Sequence, residues 1–184
     1  LPVLDRDGAL VGLFGAEQAL RAALRPPSTE AHVRDAEPPT PVSLVMQRVV
    51  PTVPSSAALP QLIAQVLAAP ERAVVVLEEG RPLGIISDTT LTQHLLAPAR
   101  SAWLAALHMP GQTHATLADG ESASAGALAD RSVPTLPEQA AQDDAIRALL
   151  DGEHERLIVT SADGRLAGVL TRRALLRALA QAAA

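Results

Sequence analysis

VPTVP at residues 50–54 returns as VPTLP at residues 133–137, 83 positions later with one residue changed. If the echo were an accident of composition, the flanking residues would not match. They do match. After VPTVP, apolar residues fall at Leu59, Leu62, Ile63, Val66 and Leu67. This i, i+3, i+4, i+7, i+8 spacing places one apolar stripe along a helix. AVVVL (73–77) then reads as a buried strand, EEGRP (78–82) as a hairpin turn and LGIIS (83–87) as a second strand. A short helix through Leu91, Leu95 and Leu96 closes the unit.

The same order follows VPTLP. Ala141, Ala145, Ile146, Leu149 and Leu150 form a weaker helical stripe. RLIVT (156–160), SADGR (161–165) and LAGVLT (166–171) read as strand, turn and strand, and Ala174, Leu175, Ala178 and Leu179 carry a last helix. Gly80 and Gly84 fall on Gly164 and Gly168 at an offset of 84, so the second copy holds one residue more, expected in its first helix or the loop after it. A partial third copy opens the chain: LPVLDRDGALVGLFGAEQALRAAL (1–24) matches 73–96 at an offset of 72, with Gly8 on Gly80 and Gly12 on Gly84. The first glycine of each pair suits a turn with positive φ. The second lies inside a strand, where a missing side chain admits another backbone or a ligand, and both readings remain open.

Composition narrows the function. The chain has 184 residues, net charge −5 and a single Phe and a single Trp, Phe14 and Trp103. An acidic, aromatic-poor chain is poorly suited to a nucleic-acid polymer as partner. Without cysteine there are no disulfides, thiolate metal sites or cysteine nucleophiles. No apolar run reaches the ~18–20 residues of a membrane span, and no signal-peptide pattern is present, so a cytoplasmic protein is expected. The start at Leu1, inside a motif, reads as a fragment of something longer. The histidines at 32, 94, 108, 114 and 154 are scattered; His108 and His114 share a segment, but no nearby carboxylates suggest a metal site. Asp143 and Asp144 stand at a helix start, where a capping role is expected. No nucleophile–base pair is legible, so the chain is not expected to be an enzyme.

The strand–helix–strand–turn–strand–helix unit resembles the cystathionine-β-synthase (CBS) domain, whose tandem pair is called a Bateman module. The likeness is carried by LVMQRVVPTVP (44–54), LPVLDRDGALVG (1–12), VVVLEEGRPLGIIS (74–87) and LIVTSADGRLAGVLTRRALLRAL (157–179). It implies an α+β fold of β-α-β-β-α repeats at 42–97 and 126–182, paired with pseudo-two-fold symmetry around two clefts. The half repeat at 1–25 comes before them, with a linker at 26–41 and an extra helix and linker at 98–125; a helix over Ala99–Leu107 would pack Trp103 onto the domain. A half repeat cannot bury its own strands, and is expected to pack against the pair or across a dimer interface.

The resemblance further implies a regulatory module, commonly a homodimer, that binds AMP, ADP, ATP or S-adenosylmethionine and controls a partner. In the family a Ser or Thr stands three residues after the second glycine, and an Asp six after it grips the ribose hydroxyls. Here Ser87 and Thr171 hold the first position, while Thr90 and Ala174 replace the acid; the half repeat has Gly15 and Gln18. Thr52, Val53 and Thr135 match a segment that lines the cleft. Arg172 and Arg173 read either as solvated arginines at a helix start or as a phosphate contact. The departures at the Asp position admit a second expectation, a ligand-free scaffold.

Overall fold

In the computed structural model the described residues are 1–24, 39–95, 100, 101, 103, 104, 123–152 and 154–182. Most of both expected linkers, with His32, His108, His114 and residues 105–107, lies outside them. The half repeat supplies β1 (Pro2–Leu4), β2 (Leu10–Leu13) and α1 (Ala16–Ala23). The first full repeat supplies β3 (Thr52–Pro54), α2 (Leu59–Ala68), β4 (Ala73–Glu78), β5 (Arg81–Ser87) and α3 (Asp88–His94). A short α4 (Ala125–Leu128) leads into the second, which has β6 (Thr135–Pro137), α5 (Gln142–Asp151), β7 (Arg156–Thr160), β8 (Leu166–Thr171) and α6 (Arg172–Ala182).

Each full repeat forms a three-stranded sheet in chain order, with the opening strand parallel to the middle one. The registers locate the extra residue. Thr52 pairs with Val75 and Thr135 with Ile158, so the offset of 83 persists through the first helix and the middle strand. The insertion therefore lies in the hairpin turn, not in the helix or its loop as expected from sequence. Glu78 pairs directly with Arg81 across a two-residue turn in which Glu79 and Gly80 both have positive φ, the requirement of a tight hairpin whose twist matches its strands. In the longer turn of the second repeat, Gly164 has positive φ.

The chain divides into two compact units, Leu1–Gln47 with Pro134–Ala162 and Ala167–Ala184, and Arg48–Val133 with Asp163–Leu166. The leader of each full repeat thus belongs to the unit built around the other. Residues 41–47 bridge Ala141 and Val169, and residues 124–130 bridge Ala58 and Ile85. Gln47 and Val169 exchange N–H···O bonds of 2.9 and 3.0 Å, and Asp130 and Ile85 exchange bonds of 2.9 and 3.1 Å. These exchanges explain the second glycine in the two full repeats, Gly84 and Gly168, but not Gly12, where nothing lies within 4 Å of an added Cβ. A Cβ on Gly84 would strike the Asp130 carbonyl, with its carbon at 2.9 Å, and one on Gly168 would strike the Gln47 carbonyl, with its carbon at 3.2 Å. Of the two readings, backbone packing is the one observed.

Within one unit, Leu59, Leu62, Ile63 and Val66 of α2 pack with Val74, Val76, Ile86 and Leu91, as their spacing predicts. Trp103 is buried in the same core on helical residues, and its Nε1–H donates to Thr92 Oγ1 at 3.0 Å. Within the other, Ala145, Ile146 and Leu149 of α5 pack with Leu157, Val159, Leu170 and Leu175. Asp143 and Asp144 fall in the first turn of α5 rather than at its N-cap, which is Ala141; there they meet the positive end of the helix dipole.

The half repeat joins the second of these cores through α1, whose Leu20 is fully buried with Val42, Met46 and Leu149. Its hairpin stays outside: Leu13 is 74% exposed, whereas its counterpart Val169 is 5% exposed. Among the described residues β1 pairs with β2 alone, and its other edge differs chemically from that of β7. Ile158 donates its N–H to Pro134 O at 2.9 Å, the bond that attaches the opening strand. The matching residue of β1 is Pro2, which has no N–H, and proline is a common residue of unpaired edges.

Candidate functional site

The expected ligand positions gather at one end of each sheet. Because β3 and β4 run parallel and β5 returns, Thr52 at the start of β3 and Ser87 at the end of β5 flank the start of β4. Two strand spacings separate them, roughly 10 Å. Thr52 is exposed and Val53 is buried in the core. Thr135 and Thr171 hold the corresponding places in the second repeat.

Ser87 is the N-cap of α3, and its Oγ accepts from Thr90 N at 3.2 Å. The same Oγ lies 3.1 Å from Thr90 Oγ1, and Thr90 is only 8% exposed. Thus the residue at the acid position turns its hydroxyl onto the capping serine. Asp88, two places earlier, accepts from the Thr89 N–H at 2.8 Å and does not substitute for the missing acid.

In the second repeat Thr171 Oγ1 accepts from Ala174 N at 3.1 Å, and Ala174 brings no polar group. In the half repeat Gln18 Oε1 accepts from Gly15 N at 2.9 Å, closing the cap from the opposite direction. The two full repeats therefore share one geometry, a strand end whose hydroxyl caps the following helix, whereas in the half repeat Gly15 has no side chain and only the Gln18 side chain closes the turn. Loss of either cap is expected to lower stability by about 1 kcal/mol. Urea denaturation of Ser87→Ala and Thr171→Ala checks this; a change below about 0.3 kcal/mol would show that solvent satisfies the helix start equally well.

The two arginines separate. Arg173 is exposed. Arg172 folds back: its Nε donates to His154 O and its Nη2 to Leu149 O, both at 2.8 Å. It fastens the end of α5 to the start of α6. Sequence reasoning missed this tie, because the carbonyls involved lie about twenty positions earlier and follow no short motif. Among the described residues no group of three His, Asp or Glu side chains is placed to hold a metal ion, and no helix is long and apolar enough to cross a membrane.

Two tandem α+β repeats, each ending in a hydroxyl-capped helix at one end of its sheet, define a pair of small modules of one kind. The CBS domain model matches residues 42–97 and 125–181, and the chain belongs to the CBS-domain family. Solved structures agree on the fold. A CBS domain-containing protein of unknown function from Bacillus anthracis has a TM-score of 0.60 at 19% identity, over 77% of this chain and 94% of that one. An uncharacterised conserved protein from Pyrococcus horikoshii has a TM-score of 0.62 at 18% identity, over 97% of this chain and 67% of that one. CBSX2 in complex with AMP, a protein known from Arabidopsis thaliana, has a TM-score of 0.60 at 21% identity, over 78% of this chain and 98% of that one. No curated protein sequence matches the chain.

Proposed function

We propose that the chain is a regulatory CBS module in which the first full repeat retains a reduced position for an adenosyl nucleotide, while the second serves mainly as structure. The observation that carries this reading is the asymmetry of the capped helix starts. Ser87 and Thr90 present two hydroxyls 3.1 Å apart, whereas Thr171 serves the Ala174 N–H beside a methyl group. A hydroxyl pair can hydrogen-bond a ribose, although without the charge assistance of a carboxylate. The AMP complex of CBSX2 supports the ligand class. Binding would act on a partner domain or protein by favouring one of its states, which requires different affinity for each. Homodimer formation and a cytoplasmic setting belong to the same proposal, and the module is given no chemistry of its own.

Calorimetric titration with AMP, ADP, ATP and S-adenosylmethionine tests the reading, together with thermal shift. A ligand at 100 times its Kd is expected to stabilise the protein by about 2.7 kcal/mol. Thr90→Val is expected to weaken binding by roughly three- to tenfold, the worth of one neutral hydrogen bond, and Thr171→Ala to leave affinity unchanged.

A second reading, a ligand-free scaffold for dimerisation, is favoured by the burial of Thr90 and by its bond to Ser87. Absence of a shift with all four compounds selects it.

A further inference from the structure

The helix of the half repeat does more than bury Leu20. Its Glu17 and Arg21, with Leu150 near the end of α5 and Arg172 at the start of α6, line a cavity of about 290 Å³ within one compact unit. Glu17 and Arg21 lie outside both segments that match the family. The cavity also differs from the hydroxyl pair at Ser87, which belongs to the other unit.

Arg172 is the fixed wall of this cavity. Two backbone carbonyls hold its guanidinium, and its side chain is 14% exposed. Its acidic neighbour is Glu155, 3.5 Å away and 70% exposed. A guanidinium has five N–H donors, so the two carbonyls leave part of the fork for another acceptor. Arg21 is the movable wall. It pairs at 2.8 Å with Glu17 one helical turn earlier, and both side chains are exposed. Exposed pairs of this kind contribute little, so an incoming anion can displace them readily.

We propose that this cavity binds the oxyanion group, phosphate or carboxylate, of a small molecule. Arg172 receives it without releasing its carbonyl anchors, and Arg21 turns to it from Glu17. The planar guanidinium forks match such groups in bidentate fashion. Glu17 acts as the internal competitor, holding Arg21 in the absence of ligand. The volume equals that of roughly ten waters, so an oxyanion fits together with a modest organic remainder.

NMR titration of the whole chain with inorganic phosphate, and separately with citrate, tests the proposal at constant ionic strength maintained with chloride. Saturable shifts at residues 17–21, 150 and 172 are expected with at least one probe, and the stronger of the two distinguishes phosphate from carboxylate. Arg21→Gln is expected to weaken binding at least tenfold, and Glu17→Gln to tighten it several-fold. Both substitutions are on an exposed helix face, so the fold should persist, which the unperturbed remainder of the spectrum verifies. Ser87→Ala leaves this binding unchanged even if the adenosyl reading fails. Shifts no larger than those from chloride, or equal affinity in Arg21→Gln, overturn the proposal.

Discussion

Replacing Gly168 by alanine is expected to destabilise the protein by about 3 kcal/mol and to free residues 41–47 from the edge of β8. The added Cβ would run into the Gln47 carbonyl and lie 3.0 Å from Met46 Sδ. Overpacking that meets a flexible side chain can relax, but a clash with backbone that is itself hydrogen-bonded cannot relax locally, which puts the effect near the top of the usual range. Relief requires breaking the two reciprocal bonds between Gln47 and Val169. Urea denaturation gives the size of the effect, and hydrogen exchange at those two amides shows where it acts. Gly84→Ala should behave alike at Asp130 and Ile85. Gly12→Ala is the internal control, because nothing lies within 4 Å of a Cβ built there. If all three variants were equally harmful, strand glycine itself would be the cause and the leader contact would not.

Leu20→Ala is expected to lose about 3 kcal/mol and to detach the whole half repeat. Leu20 is the one buried residue between 1 and 24, and it sits in a core with Ile146, Leu149 and Leu175. Truncating a buried leucine costs about 2–5 kcal/mol, more when the surroundings cannot collapse. The β1–β2 hairpin has no core of its own, so it cannot hold α1 in place once that contact weakens. Exchange at the amides of residues 1–24 should accelerate together, while the α2 core remains protected. Slow exchange in the hairpin after the substitution would mean that something other than Leu20 holds it.

Sequence alone revealed what local pattern encodes. The stripes of α2 and α5 carry the 3.6-residue repeat, β4 and β7 are short unbroken runs rich in β-branched residues, and the hairpins hold a glycine where the turn needs positive φ. The extra residue was misplaced because an offset between landmarks does not say where between them it changes; strand register does. The leader exchange was invisible because a single bridge at Gln47 or Asp130 has no period. At the site, the hydroxyls at Ser87 and Thr171 were legible, and so was the missing acid. Their engagement was not: whether Thr90 faces outward or onto Ser87 depends on a rotamer, and the anchor of Arg172 depends on where α5 ends in space.

The exchange of leaders limits how the protein can be divided. A gene fragment cut at the family boundaries, 42–97, carries residues 42–47 that belong to the other unit and omits residues 124–130, which cover the β5 edge of its own. Transplanting one repeat into a chimera therefore exports an unmatched leader and a bare strand, a ready template for self-association. What can be moved intact is the stretch that keeps both exchanged leaders and also α1, whose Leu20 completes one of the cores.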